Sequence, residues 1–306
     1  MIINTGQRTD IPAFYSEWFY NRVREGYVLV QSPYNEKMIY EYQLDPQVVD
    51  CLCFCTKNPQ PMIGRLDEIG RFNQLWFVTI TPYSTDIEPN VPKVKEVIRS
   101  FQELSNKVGK KKVVWRYDPI IVNRRWPVEK HLLAFGLMAK QLSGYTSTCV
   151  ISFIDLYQKT RRNFPGIKEV DLETQHHLAR SIVAIAAKYQ IRIQTCHEGD
   201  HLGQYGIDVA GCMTQAVLEK ALDVRFDLGR KSPARPGCDC LIGSDIGVYN
   251  TCMHGCLYCY ANSDYHQVKI NHRSHDPSAP MLVGQVKPES QIKKVDQKSN
   301  IVETLF

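Results

Sequence analysis

The sequence has no apolar run that approaches the roughly 18 residues of a membrane-spanning helix. Residues 1–6 carry neither the basic segment nor the apolar segment of a secretory leader. Helical-array repeats and low-complexity stretches are also missing, which argues against solenoid and disordered classes. We therefore expect a cytoplasmic globular protein without a membrane partner.

The excess of positive over negative charge is also small. The formal net charge is only +5 and the sequence pI is ≈ 8.5. Because phosphate binding rests on clustered Lys and Arg, nucleic acid is a weakly supported partner. The 43% hydrophobic and 23% charged residues, with a mean hydropathy of -0.30, are typical of a soluble globular chain. Eleven cysteines in such a chain favour metal binding or buried thiols over disulfides.

Short apolar, β-branched runs alternate with helical patterns along most of the chain. This alternation predicts an α/β fold, a partial or complete (β/α) TIM-like barrel with about six βα units, over residues 1–228. A cysteine-rich cap that binds an iron–sulfur cluster follows at 229–264, and a polar C-terminal tail occupies 265–306. The six predicted strands are residues 2–5, 49–56, 75–81, 113–119, 149–155 and 191–196.

Polar side chains follow these apolar runs at the positions where barrel enzymes assemble their active sites. Their types suit substrate carboxylates, hydroxyls and amino groups. For any single residue, an ion pair that closes the barrel rim is about as good an interpretation; Arg8 with Asp10, and Arg116 with Asp118, could neutralise each other in this way. The predicted catalytic residues are Arg8, Asp10, Arg116 and Asp118, and the predicted cofactor-binding residues are Thr81, Tyr83, Asp155, His197, Glu198 and Tyr258.

Three cysteines, Cys252, Cys256 and Cys259, stand at C-x3-C-x2-C spacing near the end of the chain. Three sulfurs on one tight loop can hold three irons of a four-iron cluster, which leaves the fourth iron open to a small molecule. The alternative is a zinc site with His254 or Cys240 as the fourth ligand. Unliganded thiols at this density would be prone to oxidation.

The other cysteines fall into two groups. Cys51, Cys53 and Cys55 alternate along one predicted strand. Because strand spacing would put alternate sulfurs about 6.6 Å apart, we interpret them as small buried hydrophobes rather than ligands of one ion. A second set could hold a closed cluster or a structural zinc, or could include buried thiols. This second set consists of Cys196, Cys212, Cys238 and Cys240.

Several segments resemble a bacterial family of unassigned function whose C-terminal cysteines are similar to those of radical S-adenosylmethionine enzymes. The resemblance rests on residues 8–15 (RTDIPAFY), 115–119 (WRYDP), 245–247 (DIG) and the triplet with Tyr258 before its last cysteine, followed by 260–262 (YAN). It implies a 4Fe-4S cluster on the triplet, S-adenosylmethionine as cofactor, a 5′-deoxyadenosyl radical and a reductant such as flavodoxin or ferredoxin. The resemblance does not identify the substrate beyond a small molecule or a nucleotide.

Two features depart from the usual radical S-adenosylmethionine pattern. The cysteine loop normally follows the first barrel strand, whereas here it follows the last, and a circular permutation would reconcile the two. No Gly-Gly-Glu motif is present, so Asp118 or the turn with His197 and Glu198 would have to replace it. The alternative function is a non-catalytic iron–sulfur or zinc protein that binds a ligand or nucleic acid.

Overall fold

A seven-stranded parallel sheet, flanked by helices, forms the centre of the computed structural model, which describes residues 1–228, 239–241 and 243–304. The strands in chain order are β1 (Ile2–Asn4), β2 (Tyr27–Gln31), β3 (Met38–Gln43), β4 (Cys51–Thr56), β5 (Gln74–Thr79), β6 (Val113–Ile120), β7 (Thr148–Phe153), β8 (Arg192–Thr195), β9 (Val224–Phe226), β10 (Ser244–Asp245), β11 (Gln291–Lys294) and β12 (Ile301–Thr304).

The helices in chain order are α1 (Ile11–Phe14), α2 (Ser16–Glu25), α3 (Gln60–Ile63), α4 (Val94–Val108), α5 (Val128–Leu142), α6 (Gln158–Asn163), α7 (Leu172–Ala187), α8 (Gln215–Leu222) and α9 (Tyr265–Arg273). Short 3-10 turns add Leu66–Ile69, Lys110–Lys112 and Asp200–Tyr205. None of the helices in the described part of the chain is long and apolar enough to cross a membrane.

The strand order in the main sheet is β10-β1-β4-β5-β6-β7-β8, with every neighbouring pair parallel. Six of these strands, β1 and β4 to β8, are those predicted from the apolar runs, and helices separate them as expected. The mixed α/β prediction is thus confirmed. The seventh strand, β10, joins the sheet beside β1 at the edge opposite β8.

The two faces of the sheet bury different side chains because successive residues of a strand point to opposite faces. One face packs against the helices with large aromatics; the rings of Trp115 and Phe135 stack at 4.7 Å between centroids. The other face carries smaller side chains such as Leu75 and Val114 and is covered by residues of α8, including Leu218. Arg116 of β6, a predicted site residue, reaches Cys212 on this second face.

Cys51 and Cys53 are fully buried on this second face, and Cys55 is partly buried, which confirms their interpretation as apolar side chains. The separation expected for their sulfurs is wrong, because the Sγ atoms of Cys51 and Cys53 lie 3.7 Å apart. Strand geometry sets the distance between alternate Cα atoms but not between their side-chain ends. The Cys51 and Cys53 side chains incline toward each other, which brings their sulfurs closer than their Cα atoms.

Two smaller sheets lie outside the main one. The predicted hairpin is present as β2 and β3, and β11 extends it in parallel beside β3. A second small sheet pairs β12 with β9. The segment after residue 264 therefore contains α9 and two strands, more regular structure than its polar composition indicates.

Candidate functional site

The cysteine loop occupies the carboxyl end of the edge strand β10. Asn4 and Ile3 of β1 pair with Asp245 and Ser244 of β10, so the chain after Asp245 emerges at the same edge as the loops after β1 and β4. The loop is anchored there by the buried Thr251, whose carbonyl accepts a 2.7 Å hydrogen bond from the Tyr15 hydroxyl. The cysteines are thus presented to the polar rim that the sequence predicts.

Local turns fold the loop back on itself. Asn250 has φ 57°, and its Oδ1 accepts the Ser263 N–H at 2.6 Å, which closes the loop at both ends. Gly255 has φ 69°, and a Cβ there would lie 3.2 Å from Asn90 Nδ2. Asn262 donates from Nδ2 to the Cys252 carbonyl at 2.7 Å. These contacts give the triplet a defined backbone.

All three thiols of this loop have raised pKa values. Burial raises the pKa of Cys252, and the charges of Asp10, Cys259 and Cys256 raise it further. Burial likewise raises the pKa of Cys256 and of Cys259. Backbone donors lie at two of the sulfurs, namely the His254 N–H for Cys252 and the Ala261 and Asn262 N–H groups for Cys259.

This donor set fits an iron–sulfur cluster. N–H donors aimed at cysteine sulfurs are a feature by which proteins adjust such clusters, and mutual repulsion among three buried thiolates is relieved by bound cations. Within residues 1–228, 239–241 and 243–304, no three His, Cys, Asp or Glu side chains already surround one ion position. A four-iron cluster instead takes each cysteine on a separate iron.

A buried ion pair, Lys57 with Glu88, lies beside the triplet. Lys57 Nζ is 2.9 Å from Glu88 Oε1, and the two side chains are 12% and 3% exposed. The same oxygen accepts hydrogen bonds from the hydroxyls of Thr81, at 2.6 Å, and Tyr258. Burial opposes the charge on Lys57, but Glu88 and Cys256 raise its pKa overall, which favours the ammonium form.

The predicted pairing of Arg8 with Asp10 is wrong. Arg8 donates to the Asp245 carbonyl, and its Nε lies 3.7 Å from Asp245 Oδ2. Asp10 caps α1 by accepting the Ala13 N–H at 3.0 Å, and its other oxygen lies 2.8 Å from His254 Nε2. Both residues therefore fix the cysteine loop and the strand before it.

His254 was the alternative fourth ligand for zinc in the triplet. Its side chain is 3% exposed, and its Nδ1 lies 3.4 Å from the Asn90 carbonyl while Nε2 contacts Asp10. Both ring nitrogens thus already have protein partners. This arrangement favours His254 as a positioning residue for the loop.

A family model described as a domain of unknown function, DUF1848, matches residues 2–261. The chain belongs to the DUF1848 family. The match runs from β1 through the cysteine triplet to Ala261, so the sheet and the loop that it positions are one family unit. No curated protein matches this sequence.

Farther along the rim of the DUF1848 domain, Arg116 and Asp118 form the expected ion pair. Arg116 Nε lies 3.0 Å from Asp118 Oδ2, and the Ser152 hydroxyl donates to Asp118 Oδ1. Glu198 accepts the Phe153 N–H at 2.9 Å. Burial raises the pKa of Glu198 to about 8, helped by the charges of Asp155, Asp118 and Cys196. The raised pKa favours the protonated form of this carboxyl.

The remaining predicted cofactor-binding residues occupy different environments. The Tyr83 hydroxyl is 2.8 Å from the Pro119 carbonyl and accepts the Ile121 N–H at 2.8 Å, so both its hydrogen-bonding capacities serve the protein. Asp155 is exposed and accepts a 3.3 Å hydrogen bond from Tyr157. His197 has φ 64° in the turn that presents Glu198.

The second cysteine set is partly assembled. Cys212 Sγ lies 3.7 Å from Cys196 Sγ and 3.8 Å from Cys240 Sγ, and Arg116 Nη1 lies 3.6 Å from the same Cys212 sulfur. Cys238 lies outside the described residues.

Sequence reasoning missed Glu88 and gave Lys57 no specific role. The signal for Glu88 was the long loop between β5 and α4, since functional residues concentrate in loops at the carboxyl ends of parallel strands.

Proposed function

We propose that this DUF1848 protein is a radical S-adenosylmethionine enzyme that holds a 4Fe-4S cluster through Cys252, Cys256 and Cys259. The observation that carries the proposal is the parallel pairing of β10 with β1, in the register Asn4 with Asp245. It puts the cysteine loop at the carboxyl end of the first strand in spatial order.

The same pairing supports a circular permutation. Starting from the edge, the strands follow as β10, β1, β4, β5, β6, β7 and β8. In this order the triplet comes directly after the first strand, where radical S-adenosylmethionine enzymes carry it, although it is last in the chain. We infer a partial (β/α) TIM-like barrel whose chain begins at the second strand of the usual order.

The chemistry that the cluster would supply, when bound, is the transfer of one electron to S-adenosylmethionine and cleavage to a 5′-deoxyadenosyl radical. The protein residues bind and orient. Lys57 places a buried positive charge 5.6 Å from the centre of the Tyr258 ring, beside the triplet, where it would offset the charge of three thiolates. Glu88 in turn holds the Lys57 ammonium and the Tyr258 hydroxyl in place.

The missing Gly-Gly-Glu motif requires another group for the amino end of S-adenosylmethionine. The sequence analysis proposed Asp118 and the His197–Glu198 turn for this role. A further candidate is Glu88, which contacts Lys57 and accepts a hydrogen bond from Tyr258 of the cysteine loop. An ionised carboxylate is the better acceptor for an ammonium group. Since burial raises the pKa of Glu198, its carboxyl is the weakest candidate of the three.

A reductant such as flavodoxin or ferredoxin and a small-molecule or nucleotide substrate would complete the reaction in the cytoplasm. The second candidate, a non-catalytic iron–sulfur or zinc protein, shares the triplet and differs in what it does with the cofactor. Thr81 and Tyr258, both hydrogen-bonded to Glu88, line the side of the loop where we expect the cofactor.

Anaerobic reconstitution with iron and sulfide, followed by electron paramagnetic resonance of the dithionite-reduced protein, tests the proposal. We expect a four-iron signal that changes shape when S-adenosylmethionine is added, and release of 5′-deoxyadenosine. Cys256→Ser should abolish both, whereas Cys149→Ala, a buried thiol on the helix-facing side of β7, should retain both.

A four-iron signal that ignores S-adenosylmethionine would support the non-catalytic alternative. Zinc bound to the triplet, with no cluster after reconstitution, would overturn the proposal.

A further inference from the structure

Three cysteines from separate parts of the chain meet on the second face of the sheet, the one covered by α8, apart from the triplet. Cys196 follows β8, Cys212 precedes α8 and Cys240 belongs to the segment 239–241. Cys212 is central, with sulfur–sulfur distances of 3.7 Å to Cys196 and 3.8 Å to Cys240. We call these three residues the second sulfur site.

The backbone around the second sulfur site holds the segment with Cys240 against the turn before α8. Asp239 N donates to the Ala210 carbonyl at 3.3 Å, and Leu241 N donates to the Met213 carbonyl at 2.8 Å. These two hydrogen bonds flank Cys240 on either side. The position of its sulfur is therefore set by paired backbone groups.

Gly211 leaves the room that the Cys240 sulfur occupies. Its φ is +128°, and a Cβ built on it would lie 2.8 Å from Cys240 Sγ, closer than real Cβ contacts allow. A glycine here meets both the conformational and the steric requirement. The turn is shaped to admit a sulfur atom.

Hydrogen-bond donors point at these sulfurs. Met213 N donates to Cys240 Sγ at 3.3 Å, and Arg116 Nη1 lies 3.6 Å from Cys212 Sγ. Donors and a cation stabilise a thiolate, the form of cysteine that binds metals. An apolar thiol needs neither.

Cys51 and Cys53 provide an internal comparison. Their sulfurs are also 3.7 Å apart and fully buried on the same face. Contact between two thiols is therefore not evidence of a metal site by itself. What sets the second sulfur site apart is the third sulfur, the guanidinium, the backbone donor and the glycine that makes room.

We propose that Cys196, Cys212 and Cys240 bind a single thiophilic divalent ion, with Zn²⁺ as the expected occupant. A tetrahedral zinc with Zn–S bonds of about 2.3 Å separates its sulfurs by about 3.8 Å, which matches both measured distances. A cubane cluster spreads its cysteines over separate irons and needs wider spacing. No three such side chains in the described residues already surround one ion position, so binding would require the side chains of Cys196 and Cys240 to turn toward an ion held by Cys212.

The charge of the occupied site is consistent with its neighbours. Three thiolates with one divalent ion carry a net charge of −1, which the Arg116 guanidinium offsets from 3.6 Å away. Because Arg116 also pairs with Asp118, an ion at this position would help to hold these two residues of the candidate active site in place. Three sulfurs leave one coordination position of the ion for a further ligand, and the site does not depend on what the triplet binds.

The test uses the full chain with the triplet removed, as Cys252→Ser, Cys256→Ser and Cys259→Ser together. Purified without chelators, this protein should contain one zinc per chain by elemental analysis. Replacement with Co²⁺ should produce the near-ultraviolet charge-transfer absorption of thiolate ligands. Adding Cys212→Ser should remove both, and adding Cys51→Ser in place of it should change neither.

A second measurement covers the case in which the Cys212 variant does not fold. In the wild-type protein, zinc should protect Cys196, Cys212 and Cys240 from alkylation, and a chelator should expose them together, as read by peptide mass spectrometry. The proposal is overturned if the triplet-free protein contains no bound zinc and shows no cobalt charge transfer. It is also overturned if that protein assembles an iron–sulfur cluster, or if zinc persists in a folded Cys212→Ser variant.

Discussion

Asn4 of β1 lies opposite Asp245 of β10 in the parallel register that brings the cysteine loop to the rim of the sheet. Both side chains have polar atoms without a hydrogen bond in the described part of the chain. Asn4 is 1% exposed, yet neither its Nδ2 nor its Oδ1 has a hydrogen-bond partner there, and Asp245 Oδ2 also accepts no hydrogen bond there, although Arg8 Nε lies 3.7 Å from it. Buried polar groups without hydrogen bonds are costly, so we expect the Asn4 amide to contact a bound ligand.

The first prediction concerns Asn4→Leu. Replacing an unpaired buried amide by an apolar group of similar shape should raise the free energy of unfolding by about 1 kcal/mol in the ligand-free protein. The same change should weaken the effect of S-adenosylmethionine on the reduced cluster signal. Chemical denaturation and titration of that signal measure the two outcomes.

Asn73→Leu is the matched control, because Asn73 Nδ2 donates to the Asp50 carbonyl at 3.1 Å. Loss of that hydrogen bond should lower the free energy of unfolding by about 1 kcal/mol without affecting the cofactor. If Asn4→Leu destabilised the protein as much as Asn73→Leu does, the unpaired amide would have a structural role instead.

The second prediction concerns the buried ion pair beside the triplet. Lys57→Met leaves the Glu88 carboxylate buried without its cation, which should lower the free energy of unfolding by about 3 kcal/mol. The double variant Lys57→Met with Glu88→Gln removes both charges and should recover most of that loss. Denaturant titrations of the single and double variants give the coupling energy.

Lys111 and Asp223 form an exposed pair, at 59% and 41% exposure, that serves as the comparison. Lys111→Met should change the free energy of unfolding by less than about 1 kcal/mol. Equal effects of Lys57→Met and Lys111→Met would show that burial does not make the Glu88 pair special.

Much of the sheet could be predicted because its strands carry a strong local signal. The apolar runs that became β4 and β5 are nearly continuous, as expected of parallel strands buried on both faces. Strand β10 could not be found this way, since Ser244 and Asp245 are two polar residues whose pairing depends on β1. Short strands at an edge are defined by their neighbours more than by their own side chains.

The sequence predicted which types of residue form the site, but only some of the contacts between them. The pairing of Arg116 with Asp118 is local and was expected. Asp10 instead contacts His254, 244 positions away in the chain, and Glu88 receives a hydroxyl from Tyr258, 170 positions away. Such contacts follow from strand order, which apolar periodicity does not determine.

The third prediction concerns pH. Burial raises the pKa of Glu198 to about 8 in the folded protein, above its ordinary value of 4.5. A raised folded pKa means that the folded state binds the proton more tightly, so stability from this group is greatest below about pH 4.5 and is lost as the pH rises through about 8. Glu198→Gln, which stays neutral, should remove this part of the slope between those two pH values.

The measurement is the free energy of unfolding of both proteins across that pH range. As a control, Glu169→Gln changes a carboxyl that is 69% exposed and should leave the slope unchanged. Parallel pH profiles for the wild type and Glu198→Gln would show that Glu198 is ionised in the folded protein at neutral pH.

The last prediction concerns Gly211→Ala. The added Cβ would meet Cys240 Sγ at 2.8 Å in a backbone conformation with φ +128°, so we expect a loss of about 1–3 kcal/mol in the free energy of unfolding and a lower zinc content. In contrast, Gly136→Ala in α5 meets only Ile185 Cγ2 at 3.7 Å and should stabilise the helix by about 0.5–1 kcal/mol.

A double variant separates the two costs at Gly211. In Gly211→Ala with Cys240→Ala the steric clash disappears while the backbone strain remains, so the loss relative to Cys240→Ala alone should be smaller than in the wild-type background. Because that difference measures the contact between residue 211 and the sulfur, equal losses in both backgrounds would mean that Gly211 is required for its backbone conformation alone. A smaller loss, together with a lower zinc content in the single variant, would tie the glycine to the sulfur that it admits.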